Sequence, residues 1–332
     1  MKEPNLAVVG AGYWGKNLVR NFTALGALHT VCDPDPASRE RLAAQYPEVH
    51  YTGDLTGVLG DPAIERVAIA TPAVAHHAHA CAALDAGKDV FVEKPLALTV
   101  REGADLVQRA EALGKILMVG HVLHYHPAIE KLQEIVRRGE LGALRYVYSN
   151  RLNLGKVRTE ENILWSFAPH DISIMLGLVG TDPVRVAASG ATYITEGVPD
   201  VTVSQLSFPG GVRGHIFVSW LHPYKEQRLV VVGERKMAVF DDTLREGKLR
   251  LHDKGIDVSE GAPVPRHDAE TTVELEDREP LLAECQEFLD ACAERRPPLT
   301  DGENGLRVLR VLAACQASIE KDGEPIAIEA AG

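Results

Sequence analysis

Leu6-Ala7-Val8-Val9-Gly10-Ala11-Gly12-Tyr13-Trp14-Gly15 is the stretch on which the fold is decided. Four apolar residues ending at a glycine read as a short buried strand of a parallel sheet. The glycines at 10, 12 and 15 make a GxGxxG turn, and Trp14, Leu18, Phe22 and Leu25 follow at helical spacing. A glycine-rich turn alone is a weak signal, but between a strand and a helix it has a mechanism. Gly10 permits the tight turn, Gly12 lets the backbone approach a pyrophosphate, and Gly15 lets helix and strand pack closely. The helix N-terminus offers oriented N–H donors for phosphate, with Tyr13 and Trp14 in the same turn.

The pattern then repeats. Apolar strands are expected at Leu28 to Cys32, Val67 to Ala70, Asp89 to Val92 and Ile116 to Val119. Helical segments lie between them at Asp35 to Tyr46, Ala75 to Ala86 and Val100 to Leu113. Alternating units of this length predict an α/β Rossmann domain, a doubly wound parallel sheet whose ligand sits at the carboxyl ends of the strands. Asp33 ends the second strand, eighteen residues past Gly15. Its carboxylate can accept hydrogen bonds from both adenosine ribose hydroxyls and would repel a 2′-phosphate, with no cation at Pro34 or Asp35 to counter it. The cofactor expected is therefore NAD. Thr71-Pro72 with His76, and Glu93-Lys94-Pro95, mark two further strand ends. A lysine at such an edge can hold a substrate hydroxyl or lower the pKa of a neighbouring base.

From about Tyr125 the rhythm changes. After a helix at Pro127 to Arg138, strands follow one another at Leu144 to Leu154, Val201 to Phe208 and His215 to Leu221. A hairpin is expected at Arg228 to Val232 and Lys236 to Asp241, and helices at Leu281 to Ala293 and Gly305 to Ile319 close the chain. Consecutive strands predict an α+β domain with a predominantly antiparallel open sheet. The expected division is 1–123 for the cofactor domain and 124–332 for substrate binding and oligomerisation. Pro263 to His267 reads as a surface loop.

Length and charge narrow the function. A chain of 332 residues exceeds one ordinary core, so two domains are expected. A net charge of −12 excludes nucleic acid as a bulk partner, while leaving room for a small anion on a local basic cluster. Val67 to Leu84 lacks Asp, Glu, Lys and Arg, but Pro72, His76, His77 and His79 interrupt it, so no membrane span is expected. From the first residues no signal peptide is expected, and the odd count of five cysteines without CxxC spacing suits small buried hydrophobes in a reducing cytoplasm. His121, His124 and His126 form a second dense histidine group. A zinc site is conceivable there or at the first group. Without Cys or carboxylate in a metal-ligand pattern, pocket-lining or capping is expected and metal is not.

The chain resembles the Gfo/Idh/MocA family of sugar and cyclitol oxidoreductases. The turn at Gly10 to Gly15, Thr71-Pro72 with His76, Glu93-Lys94-Pro95, and Ala168-Pro169-His170-Asp171-Ile172 opening a helix carry the resemblance, across more than half of the sequence. It implies that Lys94 and His170 face the substrate carbon as the catalytic pair. Two departures touch substrate recognition: Ser166 stands where many members have aspartate, and His124 where arginine is frequent. The segments Ser149 to Lys156, Glu161 to Ala168 and Ser219 to Pro223 are similar to members that act on nucleotide-activated amino sugars, at the 3-hydroxyl of UDP-N-acetylglucosamine in particular. That similarity implies a UDP-sugar substrate, a product consumed by an aminotransferase for 3-amino sugars of envelope glycans or lipid A, and a homodimer or homotetramer. Arg151, Lys156 and Arg158 would clamp the diphosphate, as paired guanidinium donors suit phosphate oxygens. Asn162, Trp165, Asp171 and His124 would border the sugar. A 3-ketosugar reductase, a cyclitol dehydrogenase and a non-catalytic dinucleotide sensor are the competing readings.

Overall fold

The computed structural model describes residues 4–155, 157–159, 161–259 and 262–328. The first unit gathers the chain up to Tyr125 together with Arg278–Leu309, and the second gathers His126–Asp277 with the chain from Arg310 onward.

In the first unit the order is β1 (Leu6–Val9), α1 (Gly15–Ala24), β2 (Leu28–Cys32), α2 (Pro36–Ala43), β3 (His50–Thr52), α3 (Leu55–Gly60) and β4 (Arg66–Ile69). Then come α4 (His76–Asp85), β5 (Asp89–Glu93), α5 (Val100–Leu113) and β6 (Leu117–Gly120). The strands lie in the order β3-β2-β1-β4-β5-β6, and every pair is parallel. This is a six-stranded Rossmann sheet whose strand order reverses between β1 and β4. Alternation along β1 explains why all four of its residues are apolar. Leu6 and Val8 enter the core on one face of the sheet, Ala7 and Val9 the core on the other. Helix α5 shows how local sequence sets the boundaries. Thr99 and Glu102 form a reciprocal capping box at its start, and Gly114 ends it in the left-handed region.

The second unit begins with α6 (Pro127–Arg137), β7 (Leu144–Leu154), α7 (Ile163–Val179), β8 (Arg185–Ala191), β9 (Val201–Ser207) and β10 (Arg213–Ser219). It continues through β11 (Leu221–Gly233), β12 (Met237–Asp241), β13 (Leu249–Ser259) and β14 (Ala262–Thr272). Helices α8 (Pro280–Glu294) and α9 (Gly302–Glu320) precede the short β15 (Ile326–Ala327). The sheet runs β14-β13-β12-β11-β7-β10-β9-β8-β15. Among the described residues of this sheet only β7 and β10 pair in parallel, so the sheet is mixed and mostly antiparallel.

Two features depart from the sequence reading. Pro263 to His267 is not a loop but part of β14, paired antiparallel with β13, so that Pro263 lies opposite Val258 and Pro265 opposite Ile256. Being the edge strand of the sheet, β14 needs no N–H donors on its outer side and tolerates both prolines. The segment 278–309 returns to the first unit instead of staying with the second. Its helix α8 buries Leu281, Cys285, Phe288 and Cys292 in the core that contains Leu6 and Val8. Phe288 meets Phe22 and Phe91 edge-to-face at centroid distances of 6.5 and 5.8 Å. Among the described residues no helix is long and apolar enough to cross a membrane.

Candidate active site

The carboxyl edge of β1, β2, β4, β5 and β6 collects the residues singled out in the first half of the sequence. At the end of β1, Gly10 has φ +88° and a Cβ there would lie 2.8 Å from the Ala70 backbone. A Cβ on Gly15 would lie 2.0 Å from the Gly10 carbonyl oxygen, so helix α1 and the turn can approach only without a side chain. Around Gly12 there is open space within 4 Å. Tyr13 is 85% exposed beside it. Asp33 is buried at the end of β2, where Oδ2 accepts the Ala11 N–H at 2.6 Å and Oδ1 accepts the Asp35 N–H at 2.8 Å. Each oxygen keeps a lone pair for a further donor. A crowded turn, an open approach at Gly12 and an acid held against the turn fit a dinucleotide. Sequence reading missed one cation here: the Arg39 guanidinium donates to the Asp33 carbonyl oxygen.

The ends of β4 and β5 are tied together by His76. Its Nε2 lies 2.9 Å from the Thr71 carbonyl oxygen and its Nδ1 2.7 Å from that of Pro95. The ring is buried, and burial lowers its pKa even though both carbonyls work against the shift. Thr71 Oγ1 contacts His79 Nδ1 at 3.2 Å, and Pro72 opens the turn that leads into α4. Trp14 Nε1 donates to Glu93, joining the glycine turn to the end of β5 just before Lys94. The histidine groups thus act partly as clamps and caps: His126 caps α6 by accepting the Ala128 N–H at 3.1 Å.

Behind Lys94 lies a buried acid pair. Glu284 of α8 is fully buried and neither of its carboxylate oxygens has a hydrogen-bond partner. Glu93 is also buried, and burial pushes it up to about 7, with Trp14 and Lys94 pulling the other way. Glu284 is raised well above the ordinary value by burial and by Glu93. Trp14 and Lys94 keep the charge on Glu93, so the proton of the pair belongs on Glu284. His121, after β6, is buried as well; burial, with His124 and Lys94, depresses it to about 3 and holds it neutral. Sequence reading missed Glu284, although the signal was present: a lone carboxylate on the apolar stripe of Leu281, Cys285 and Phe288.

Because both carboxyls are raised, their contribution to stability is present at low pH and is lost as pH rises above the ordinary 4.5, through about 7 for Glu93 and through the still raised range of Glu284. Glu284→Gln replaces the acid with a neutral isostere and should remove that loss. Its melting temperature should exceed that of the parent by roughly 2–4 °C at about pH 8, because the fold no longer has to hold a proton that the unfolded chain releases, a cost of about 1 kcal/mol, and match it near pH 5. A gap that stays constant with pH would contradict the assignment of the proton.

In the second unit, α7 begins at Ile163, seven residues before His170, and its N-cap is Asn162, whose Oδ1 accepts the Trp165 N–H at 3.2 Å. His170 therefore lies inside the helix and does not cap it. Pro169 before it cannot supply the helical bond to the Trp165 carbonyl. Asn162 Nδ2 and Trp165 Nε1 both donate to Gln316 Oε1 of α9, at 2.8 and 3.2 Å. Asp171 is buried and accepts from Ser149 Oγ at 2.6 Å and from Arg151 Nε at 2.9 Å and Nη2 at 3.1 Å. Arg151 and Asp171 thus lock β7 to α7, which corrects the picture of Arg151 as an open cation. Arg158 pairs with Glu161 at 2.9 Å, and Lys156 lies outside the described residues. Ser166, at the position where aspartate was expected, is buried in the same helix.

Comparison with known proteins agrees with this geometry. The model of the Gfo/Idh/MocA oxidoreductase family with NAD-binding Rossmann fold matches residues 5–121, and the model of that family's C-terminal domain matches residues 129–239. UDP-N-acetylglucosamine 3-dehydrogenase of Acidithiobacillus ferrooxidans is 28% identical over 314 residues, 94% of this chain and 96% of its own. A solved structure of that enzyme superposes with a TM-score of 0.84 at 26% identity, covering 97% of this chain and 99% of its own. The scyllo-inositol 2-dehydrogenase (NAD(+)) of Bacillus subtilis is 28% identical over 256 residues, 72% of this chain and 74% of its own. A solved chain from Magnetospirillum magnetotacticum MS-1 is 33% identical with a TM-score of 0.82, covering 95% of this chain and 100% of its own.

Proposed function

This chain belongs to the Gfo/Idh/MocA family of NAD-binding oxidoreductases, and we propose that it oxidises the 3-hydroxyl of UDP-N-acetylglucosamine to the 3-keto sugar nucleotide. The observation that carries the reading is Lys94, placed by β5 directly after a buried carboxylate that the nucleotide turn itself holds through Trp14. Gly10, Gly12 and Gly15 would carry the pyrophosphate, Asp33 the adenosine ribose, and the Thr71-Pro72 turn, Glu93 and Lys94 the nicotinamide end. NAD supplies the hydride acceptor when bound. The Lys94 ammonium would hold the substrate oxygen and favour its deprotonated form, and His170 would take the hydroxyl proton. Glu93 beside Lys94 would carry a compensating charge at that edge when ionised, while His121 stays neutral.

For the substrate, likeness to the 3-dehydrogenase over nearly the whole of both chains supports a UDP-sugar. With Arg151 committed to Asp171, the described cation left for a diphosphate is Arg158, which would exchange Glu161 for phosphate. Arg158→Ala should raise KM for the sugar nucleotide by about tenfold or more and leave KM for NAD unchanged. An equal effect on both would place the side chain away from the substrate. The second reading is a cyclitol or free-sugar dehydrogenase, favoured by the loss of Arg151 from the clamp and by the likeness to the inositol enzyme. Turnover with a panel of UDP-sugars, free sugars and inositols, read by NADH absorbance, separates the two.

Oxidation of an alcohol by NAD is uphill near neutral pH, so a consuming reaction must follow. An aminotransferase acting on the 3-keto group in the cytoplasm would serve. The nine-stranded sheet carries a stacked row of Tyr146, Tyr148 and His215, which supports a homodimer or homotetramer through that face.

A further inference from the structure

The helices after the two substrate-edge turns carry a cluster of ligand chemistry that the proposed reaction does not use. His77 and Cys81 stand one turn apart on α4, and Asp105 reaches them from α5. His77 Nε2 lies 2.8 Å from Asp105 Oδ2, Cys81 Sγ 3.5 Å from His77 Nε2, and Cys81 Sγ 3.4 Å from Asp105 Oδ2. We propose that His77, Cys81 and Asp105 form a zinc site that joins α4 to α5.

The distances match the metal's demands. Zinc bonds of roughly 2.0–2.1 Å to nitrogen, 2.3 Å to sulfur and 2.0–2.2 Å to oxygen, set tetrahedrally, place sulfur roughly 3.6 Å from each other ligand and nitrogen roughly 3.3 Å from oxygen. Both sulfur separations already agree, and only the His77–Asp105 pair must open, by roughly half an ångström. An i, i+4 pair on one helix presents both ligands on the same face. The donor set of thiolate, imidazole and carboxylate suits zinc and not magnesium or calcium. The nearby cation does not block the site. Arg109 Nη2 faces Asp105 Oδ1 at 3.5 Å and its Nη1 binds Asp85, which leaves Asp105 Oδ2 to the metal. All three side chains are partly exposed, so an ion has access and a water can complete the shell. Burial pushes the Cys81 thiol up to about 11, so zinc must displace its proton on binding. The structure therefore supplies the cysteine and carboxylate that the sequence pattern of closely spaced histidines lacked.

The probes are Zn(II) and Co(II), added to the full chain without a histidine tag and freed of metal by chelator. The expected result is one equivalent of zinc bound, a thiolate-to-cobalt charge-transfer band with Co(II), and a melting temperature raised by zinc. Cys81→Ser should abolish the band while keeping the fold, because Cys81 is partly exposed and serine is smaller. His77→Ala should weaken zinc binding by at least roughly tenfold, since losing even an outer-shell partner costs roughly 10–100-fold. A band that persists in Cys81→Ser, no thiolate band in the parent, or less than one equivalent bound would overturn the proposal.

Discussion

Replacing His170 with alanine should lower turnover by roughly 10²- to 10⁴-fold, the usual worth of a positioned general base, with NAD affinity unchanged. The expectation follows from its place in α7. Asn162 already caps the helix, so His170 is not needed to start it. Asp171, next in sequence, fixes the turn of helix that carries it through Ser149 and Arg151. On this proposal His170 is held for chemistry inside a helix, directly after a proline that removes one helical hydrogen bond at a cost of about 3 kcal/mol. Turnover with NAD and substrate, beside NAD binding by fluorescence titration, checks it. Parent-like turnover would move the base elsewhere, with His124 next to be tested.

NAD should bind at least about a hundredfold more tightly than NADP. A like-charge contact between the Asp33 carboxylate and a 2′-phosphate costs several kcal/mol, and Arg39 is engaged with the Asp33 backbone carbonyl. The carboxylate cannot swing away easily, since Ala11 and Asp35 N–H groups hold both of its oxygens. The Arg39 guanidinium lies on the carbonyl of the same residue and sets the outcome of the reverse experiment. In Asp33→Ser the repulsion goes and the cation stays, so NADP affinity should rise while NAD affinity falls. Equal affinities of the parent protein for both cofactors would contradict the role given to Asp33.

The first domain was legible because its signals are local. The run at Leu6 to Val9 and the turn at Gly10 to Gly15 each declare an element within a few residues. What escaped depends on partners distant in sequence. The apolar stripe of α8 announces burial without saying against which sheet, and it packs on Phe22 and Phe91. The strand β14 is polar and holds two prolines, a composition that reads as loop until its edge position is known. Arg151 reads as a free cation in the sequence, while the facing of β7 and α7 gives it to Asp171. His77, Cys81 and Asp105 meet only because α4 and α5 pack side by side.

The most direct test offers the protein UDP-N-acetylglucosamine and NAD with an NADH-recycling system and identifies the product by NMR. The account predicts a 3-keto sugar nucleotide, formed by the parent and lost in His170→Ala and Lys94→Ala. A 4-keto product, or turnover of free inositol or glucose with none of any UDP-sugar, would contradict it.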